Sequence, residues 1–171
     1  FTDRLRDRVR GGGPFSDRRD QGFATGLSLD PSGCDPRPAP SPGEAAARLR
    51  EYADLVRLGM AGNLADFALV DASGVTRLGA ELDYNGQPAG YALRPDDTIT
   101  YVSAHDNETW FDALQGKLPC DTPLAGRVRV HDLGVSIVAL AQGIPFFHAG
   151  DELLRSKSGD KNSYDSGDWF N

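Results

Sequence analysis

Cysteine, histidine and methionine are scarce in this chain, at two, three and one in 171 residues. Cys34 and Cys120 stand far apart and in no metal-ligand spacing. They define neither a disulfide framework nor a zinc site, so two unpaired thiols are expected, with no metal and no cofactor. Long apolar runs are missing too. The longest, around Leu133 to Ala141, is broken by Ser136, whereas a spanning helix needs about 20 apolar residues, and no membrane partner is expected. Positive charge is in deficit, with 18 Lys and Arg against 25 Asp and Glu for a net charge of -7 and a pI near 4.8. Without a basic run the electrostatic footprint of a nucleic-acid binder is absent. Residues 1–20 are rich in Arg and Asp and hold no apolar signal core, so any export signal is expected upstream of Phe1 and the compartment stays open.

What is present is globular. Hydrophobic residues make up 39% of the chain, which excludes wholesale disorder. Thr2 followed by Leu5 and Val9, one helical turn apart, reads as a short surface helix that Gly11-Gly12-Gly13-Pro14 ends. A long exposed loop follows, rich in Gly and Pro from about residue 11 to 42 and too rich in Pro near its end for a helix or a central strand. Ser41-Pro42-Gly43-Glu44 is a capping box with proline at the first helical position, and Ala45, Leu49, Tyr52 and Val56 carry the helix to Gly59. Residues 67–70 and 75–78 flank a turn at Asp71-Ala72-Ser73-Gly74 and read as a hairpin. Residues 84–90 read as loop.

The informative segments come next. Thr98-Ile99-Thr100-Tyr101-Val102 is a β-branched and aromatic run, read as a buried strand. Residues 123–142 place Val130, Leu133, Gly134, Ile137, Val138 and Ala141 at helical spacing, and Ile144-Pro145-Phe146-Phe147 is a second apolar strand. Strand, crossover helix and strand make a parallel unit, so the fold class is α/β. In such folds ligands sit beyond the carboxyl ends of the strands. Both ends here run into polar clusters, His105-Asp106-Asn107-Glu108 and His148-Ala149-Gly150-Asp151-Glu152. The first offers two carboxylates, an imidazole and an amide. Spacing alone favours the plain reading of that cluster, an acid capping the next helix beside a satisfied histidine.

Neighbouring text changes the balance. Tyr101 to Thr109 (YVSAHDNET), Gly143 to Lys157 (GIPFFHAGDELLRSK) and Asn162 to Asn171 (NSYDSGDWFN) resemble type I pullulanase, the starch-debranching branch of the α-amylase family of glycoside hydrolases. Residues 4–15 are similar to the stretch after the sixth barrel strand of those enzymes. The resemblance implies a partial (β/α)8 barrel, from after strand 6 to strand 8 and its loop, making residues 1–171 a single incomplete domain from the C-terminal part of a catalytic barrel. A complete barrel takes about 250 residues. It also implies hydrolysis of α-1,6-glucosidic bonds in pullulan and branched starch or glycogen with retention of configuration, an α-glucan partner, and a parent for which secretion is a natural setting. Asp106 becomes the acid that steadies the distorted sugar, and His105 hydrogen-bonds the same sugar. Asn107, Glu108, Arg155, Asp165, Asp168 and Trp169 become substrate-binding candidates, Trp169 either stacking on a glucose face or packing in the rest of the barrel.

The family's nucleophile and general acid lie in an Arg-x-Asp and a Gly-Glu motif, and neither stands at a strand end here. Both are expected upstream of Phe1, with the rest of the barrel, so the isolated chain is expected to be inert and prone to aggregate through uncovered edges. Two other readings stay open, a non-catalytic α-glucan-binding module and another debranching or amylase-like specificity. Asp160, Asn162, Asp165 and Asp168 miss the alternate-position register of a calcium loop. A Glu152–Arg155 ion pair is the expected structural link after the last strand. Asn107-Glu108-Thr109 matches a glycosylation sequon that would block the site and is set aside.

Overall fold

The computed structural model describes residues 1–32 and 37–170. Among these residues are four helices, α1 (Asp3–Arg10), α2 (Pro42–Met60), α3 (Trp110–Lys117) and α4 (Leu124–Leu140), and six short strands, five of them between α2 and α3 and the last after α4. These are β1 (Ala68–Val70), β2 (Thr76–Leu78), β3 (Asp83–Tyr84), β4 (Gln87–Pro88), β5 (Ile99–Thr100) and β6 (Ile144–Pro145). β1 and β2 form the expected hairpin, Ala68 opposite Leu78. β3 and β4 form a second, tighter one where loop was expected, with Asn85 and Gly86 both at positive φ, as a two-residue hairpin turn requires.

The parallel unit is present. β5 pairs with β6, Ile99 beside Ile144 and Thr100 beside Pro145, with α3 and α4 between them in the chain. Apart from an isolated parallel bridge of Leu64 with Ala92, this pair is all the parallel sheet among the described residues, and no barrel closes within them. Both strands are shorter than the apolar runs that announced them. Beyond Thr100 the Val102 carbonyl is taken by the Arg10 side chain at 2.7 Å, so the ladder stops and a loop begins.

The first helix is no surface element. Leu5 and Val9 are fully buried, Asp7 and Arg10 nearly so, and α1 packs along α2. Its arginines explain the error. Arg4 lies over the rings of Tyr84 and Tyr91 and Arg8 over Tyr52 and Tyr84, so aromatic faces cover what the charge pattern marked as solvent-facing. The long loop is also less exposed than expected. Residues 22–27 turn back along α1, where Phe23 and Ala24 donate backbone hydrogen bonds to the Arg8 and Val9 carbonyls. Gly11 makes the approach possible. At φ 99 a Cβ there would stand 2.2 Å from the Asp20 carbonyl oxygen. Residues 33–36, with Cys34, lie outside the described residues. Cys120 is disulfide-bonded, which corrects the expectation of a free thiol at that position.

The main core gathers Leu5, Val9, Val56, Val102, Trp110, Leu114 and Val138. Trp110 is completely buried and its indole N–H donates to the His131 carbonyl at 3.0 Å. Its ring fills the space a side chain would occupy at Gly134, whose Cβ would fall 2.5 Å from Nε1. Gly134→Ala is therefore expected to push α3 off α4 and cost roughly 1–3 kcal/mol, as overpacking does. A shift of the denaturation midpoint checks this, and an unchanged midpoint contradicts it. His131 is packed, not exposed, and burial depresses its pKa. Among the described residues no helix is long and apolar enough to cross a membrane.

Candidate active site

The end of β5 leads into the polar cluster. Residues 101–103 are buried, His105 and Asp106 stand out in solvent, and the chain re-enters the core at Thr109 and Trp110. Two local features shape this excursion. Asn107 takes a left-handed conformation at φ 61, which turns the backbone. Thr109 then caps α3, its hydroxyl accepting from the Asp112 N–H at 3.1 Å. The cap is thus Thr109 and not Asp106, so the plain reading of the acid as a helix cap does not apply. His105 Nδ1 lies 3.4 Å from Asp106 Oδ1, with the two side chains 83% and 74% exposed. Such an exposed pair adds little stability.

His105, Asp106, Asn107 and Glu108 all line a groove of about 990 Å³, together with Arg6, Tyr101, Phe146, Lys117, Asp160 and Lys161. That volume lies at the upper end of those typical of ligand clefts, about 300–1,000 Å³. Phe1, Tyr101 and Phe146 meet edge-to-face on one wall, Phe1 and Tyr101 with ring centres 5.1 Å apart. Arg6 donates to the Tyr101 hydroxyl. Asp17 and Arg19 also line the groove, where Arg19 holds Asp17 well below the usual carboxylate range by charge-assisted hydrogen bonds at 2.6 and 2.9 Å.

The other candidates stand apart from that groove. Arg155 is half-buried, with Nη1 3.4 Å from the Ala149 carbonyl. Asp165, Asp168 and Trp169 are exposed in 3-10 turns, Trp169 at 86%. Trp169 does not pack into the described residues. The expected Glu152–Arg155 pair does not form, because the Glu152 carboxylate accepts from the Gly150 N–H at 3.1 Å. Among the described residues no group of three or more His, Cys, Asp or Glu is placed to hold a metal ion.

Sequence reasoning missed the cations behind the excursion. Arg10, the last residue of α1, is buried and donates to the carbonyls of Val102 (2.7 Å) and Glu108 (3.2 Å), one at each side of His105-Asp106. Burial lowers its pKa to about 10. Lys117 donates to the Gly11 and Asp20 carbonyls at 2.7 and 2.6 Å, and burial brings its pKa down to about 8. Lys157 donates to the His105 carbonyl at 2.9 Å. For Arg10 and Lys117 the available signal was a basic residue at the end of a helix, which is ordinary, and Lys157 in its loop gave none.

Comparison with known proteins fits this geometry. No family model matches the chain. Over the whole of this chain, the pullulanase of Klebsiella pneumoniae is 49% identical and the chloroplastic pullulanase 1 of Arabidopsis thaliana 47%. The fold agrees over 99% of the chain with Klebsiella pneumoniae pullulanase complexed with maltotriose, at a TM-score of 0.90 and 47% identity. The chain belongs to the pullulanase family. It spans 15% of the Klebsiella relative and 18% of the Arabidopsis one, and 16% of the chain in the maltotriose complex. Pullulanases are glycosidases of starch debranching, and the segment matched here includes the whole excursion from Tyr101 to Thr109.

Proposed function

We propose that this chain supplies the later strands and one rim of the substrate groove in a (β/α)8 barrel that hydrolyses α-1,6-glucosidic bonds of pullulan and branched starch with retention of configuration. Residues 1–171 form one incomplete domain of that barrel. The observation that carries the reading is the exposed His105–Asp106 pair, held over a groove beyond the end of a parallel strand. Asp106 caps no helix, and its one close ion-pair contact is with the exposed His105, which leaves the carboxylate open to the groove it lines.

The chemistry follows from charge. Cleavage of a glycosidic bond passes through an oxocarbenium-like state in which the ring flattens and positive charge develops. A carboxylate fixed beside the ring binds that state better than the relaxed sugar, which is what acceleration requires. Asp106 is that carboxylate, and His105 hydrogen-bonds the same sugar. Asn107 and Glu108 line the same rim, while Arg155, Asp165, Asp168 and Trp169 hold outlying parts of the glucan. The nucleophile and general acid, about 5–5.5 Å apart in a retaining enzyme, come from strands outside this chain. The maltotriose bound by the Klebsiella relative supports an α-glucan as the ligand.

The full-length protein carrying this chain is expected to release maltotriose from pullulan and to leave linear amylose intact. Absence of maltotriose would overturn the specificity. The 171-residue chain alone is expected to release no reducing ends, and if it does, the division of catalytic groups proposed here is wrong.

A further inference from the structure

We infer that Lys157 is a positioning residue for the Asp106 carboxylate, setting the height of the His105-Asp106 excursion from behind through the backbone. This rests on the function proposed above and adds to it a residue that touches no sugar.

The geometry is specific. Lys157 is only 3% exposed, an unusual place for an ammonium unless it has partners. Its Nζ donates to the His105 carbonyl at 2.9 Å, one peptide before Asp106, so the contact acts on the peptide plane that carries the acid. The lysine is itself fixed. Its backbone N–H donates to Asp112 Oδ2 at 2.7 Å, and the neighbouring Ser156 hydroxyl donates to Asp112 Oδ1 at 2.5 Å. Asp112 is buried in the first turn of α3, whose indole neighbour Trp110 is locked onto α4. A rigid path therefore runs from the core through Asp112 and Lys157 to the carbonyl of His105. Without it the excursion has Arg10 at its two feet and nothing at its crest. Displacing a catalytic group by about 1 Å costs on the order of 10²-fold in rate.

The test uses the full-length protein assayed on pullulan. Lys157→Met keeps the apolar stem and removes the donor, and kcat is expected to fall roughly 10–100-fold with KM changed less than threefold. Lys157→Arg, which keeps a charged donor, is expected to recover most of the loss. The decisive measurement is the Asp106→Asn/Lys157→Met double variant. If the lysine acts through Asp106, its removal adds less than threefold once the carboxylate is gone. A merely structural lysine gives the same loss in both backgrounds and no rescue by arginine, and either result overturns the inference. Should Lys157→Met melt far below the parent, the Arg variant and Lys157→Gln carry the same comparison. An Asp106→Asn variant with full activity would instead sink the proposed function, so the two failures are distinguishable.

Discussion

Asp106→Asn in the full-length protein is expected to lower kcat on pullulan by roughly 10²–10³-fold, the loss seen when one preorganised electrostatic stabiliser is removed. Asparagine keeps the size and most of the hydrogen-bonding capacity of the side chain but not its charge, so ground-state contacts to sugar hydroxyls largely survive. KM should therefore move little while kcat and kcat/KM fall together, the pattern of an interaction made mainly in the transition state. Stability should not move. The Asp106 side chain is 74% exposed and its close contact is the 83% exposed His105 at 3.4 Å, so the fold loses nothing measurable. That combination separates a catalytic acid from a structural one. A fall in melting temperature without loss of turnover would mean that Asp106 serves packing, and an unchanged kcat would remove the residue from the mechanism.

The sequence made the elements with local signals legible. The capping box at Ser41 to Glu44 is present in full, with the Ser41 hydroxyl and N–H both engaged by Glu44. The parallel pairing of β5 with β6 and the helix before β6 also follow from β-branched runs and helical spacing. What escaped depends on contacts between distant residues. α3 is eight residues long and starts just after the polar cluster, so its cap at Thr109 was absorbed into the motif. The burial of α1 depends on four tyrosines, at positions 52, 84, 91 and 101, that meet its arginines only in three dimensions. On α4, Leu133 is exposed and His131 buried, the reverse of what hydropathy gives, because the glycine one turn on admits Trp110 to that face. The site follows the same rule. The four residues at the crest are contiguous and could be read as text, whereas Arg10, Lys117 and Lys157 act on backbone carbonyls, which carry no sequence signature.

Arg10 is where that hidden layer should matter most for stability. Its guanidinium sits inside the protein with Nη1 and Nη2 on the Val102 and Glu108 carbonyls and its face 5.9 Å from the centre of the Trp110 ring. Arg10→Met keeps the apolar contact with Trp110 but leaves both carbonyls without that donor. Each unsatisfied buried acceptor costs about 1–3 kcal/mol. Against this stands relief from burying the cation, a cost already visible in its pKa of about 10. A net loss of about 3 kcal/mol is expected, less than the two acceptors' combined upper bound because the charge is no longer desolvated. Arg10→Lys should recover part of it, since one ammonium on a flexible stem cannot span both carbonyls as a planar fork does. The effect should be local. Amide exchange in residues 103–110 is expected to accelerate by about 10²-fold, the equivalent of that free energy, while the hairpin of β1 and β2 keeps its protection. Turnover should drop with it, because the excursion then moves at both feet. If exchange in residues 103–110 is the same in Arg10→Met as in the parent, Arg10 does not hold the feet of the excursion, and its shape rests on Asn107, Thr109 and Lys157 without it.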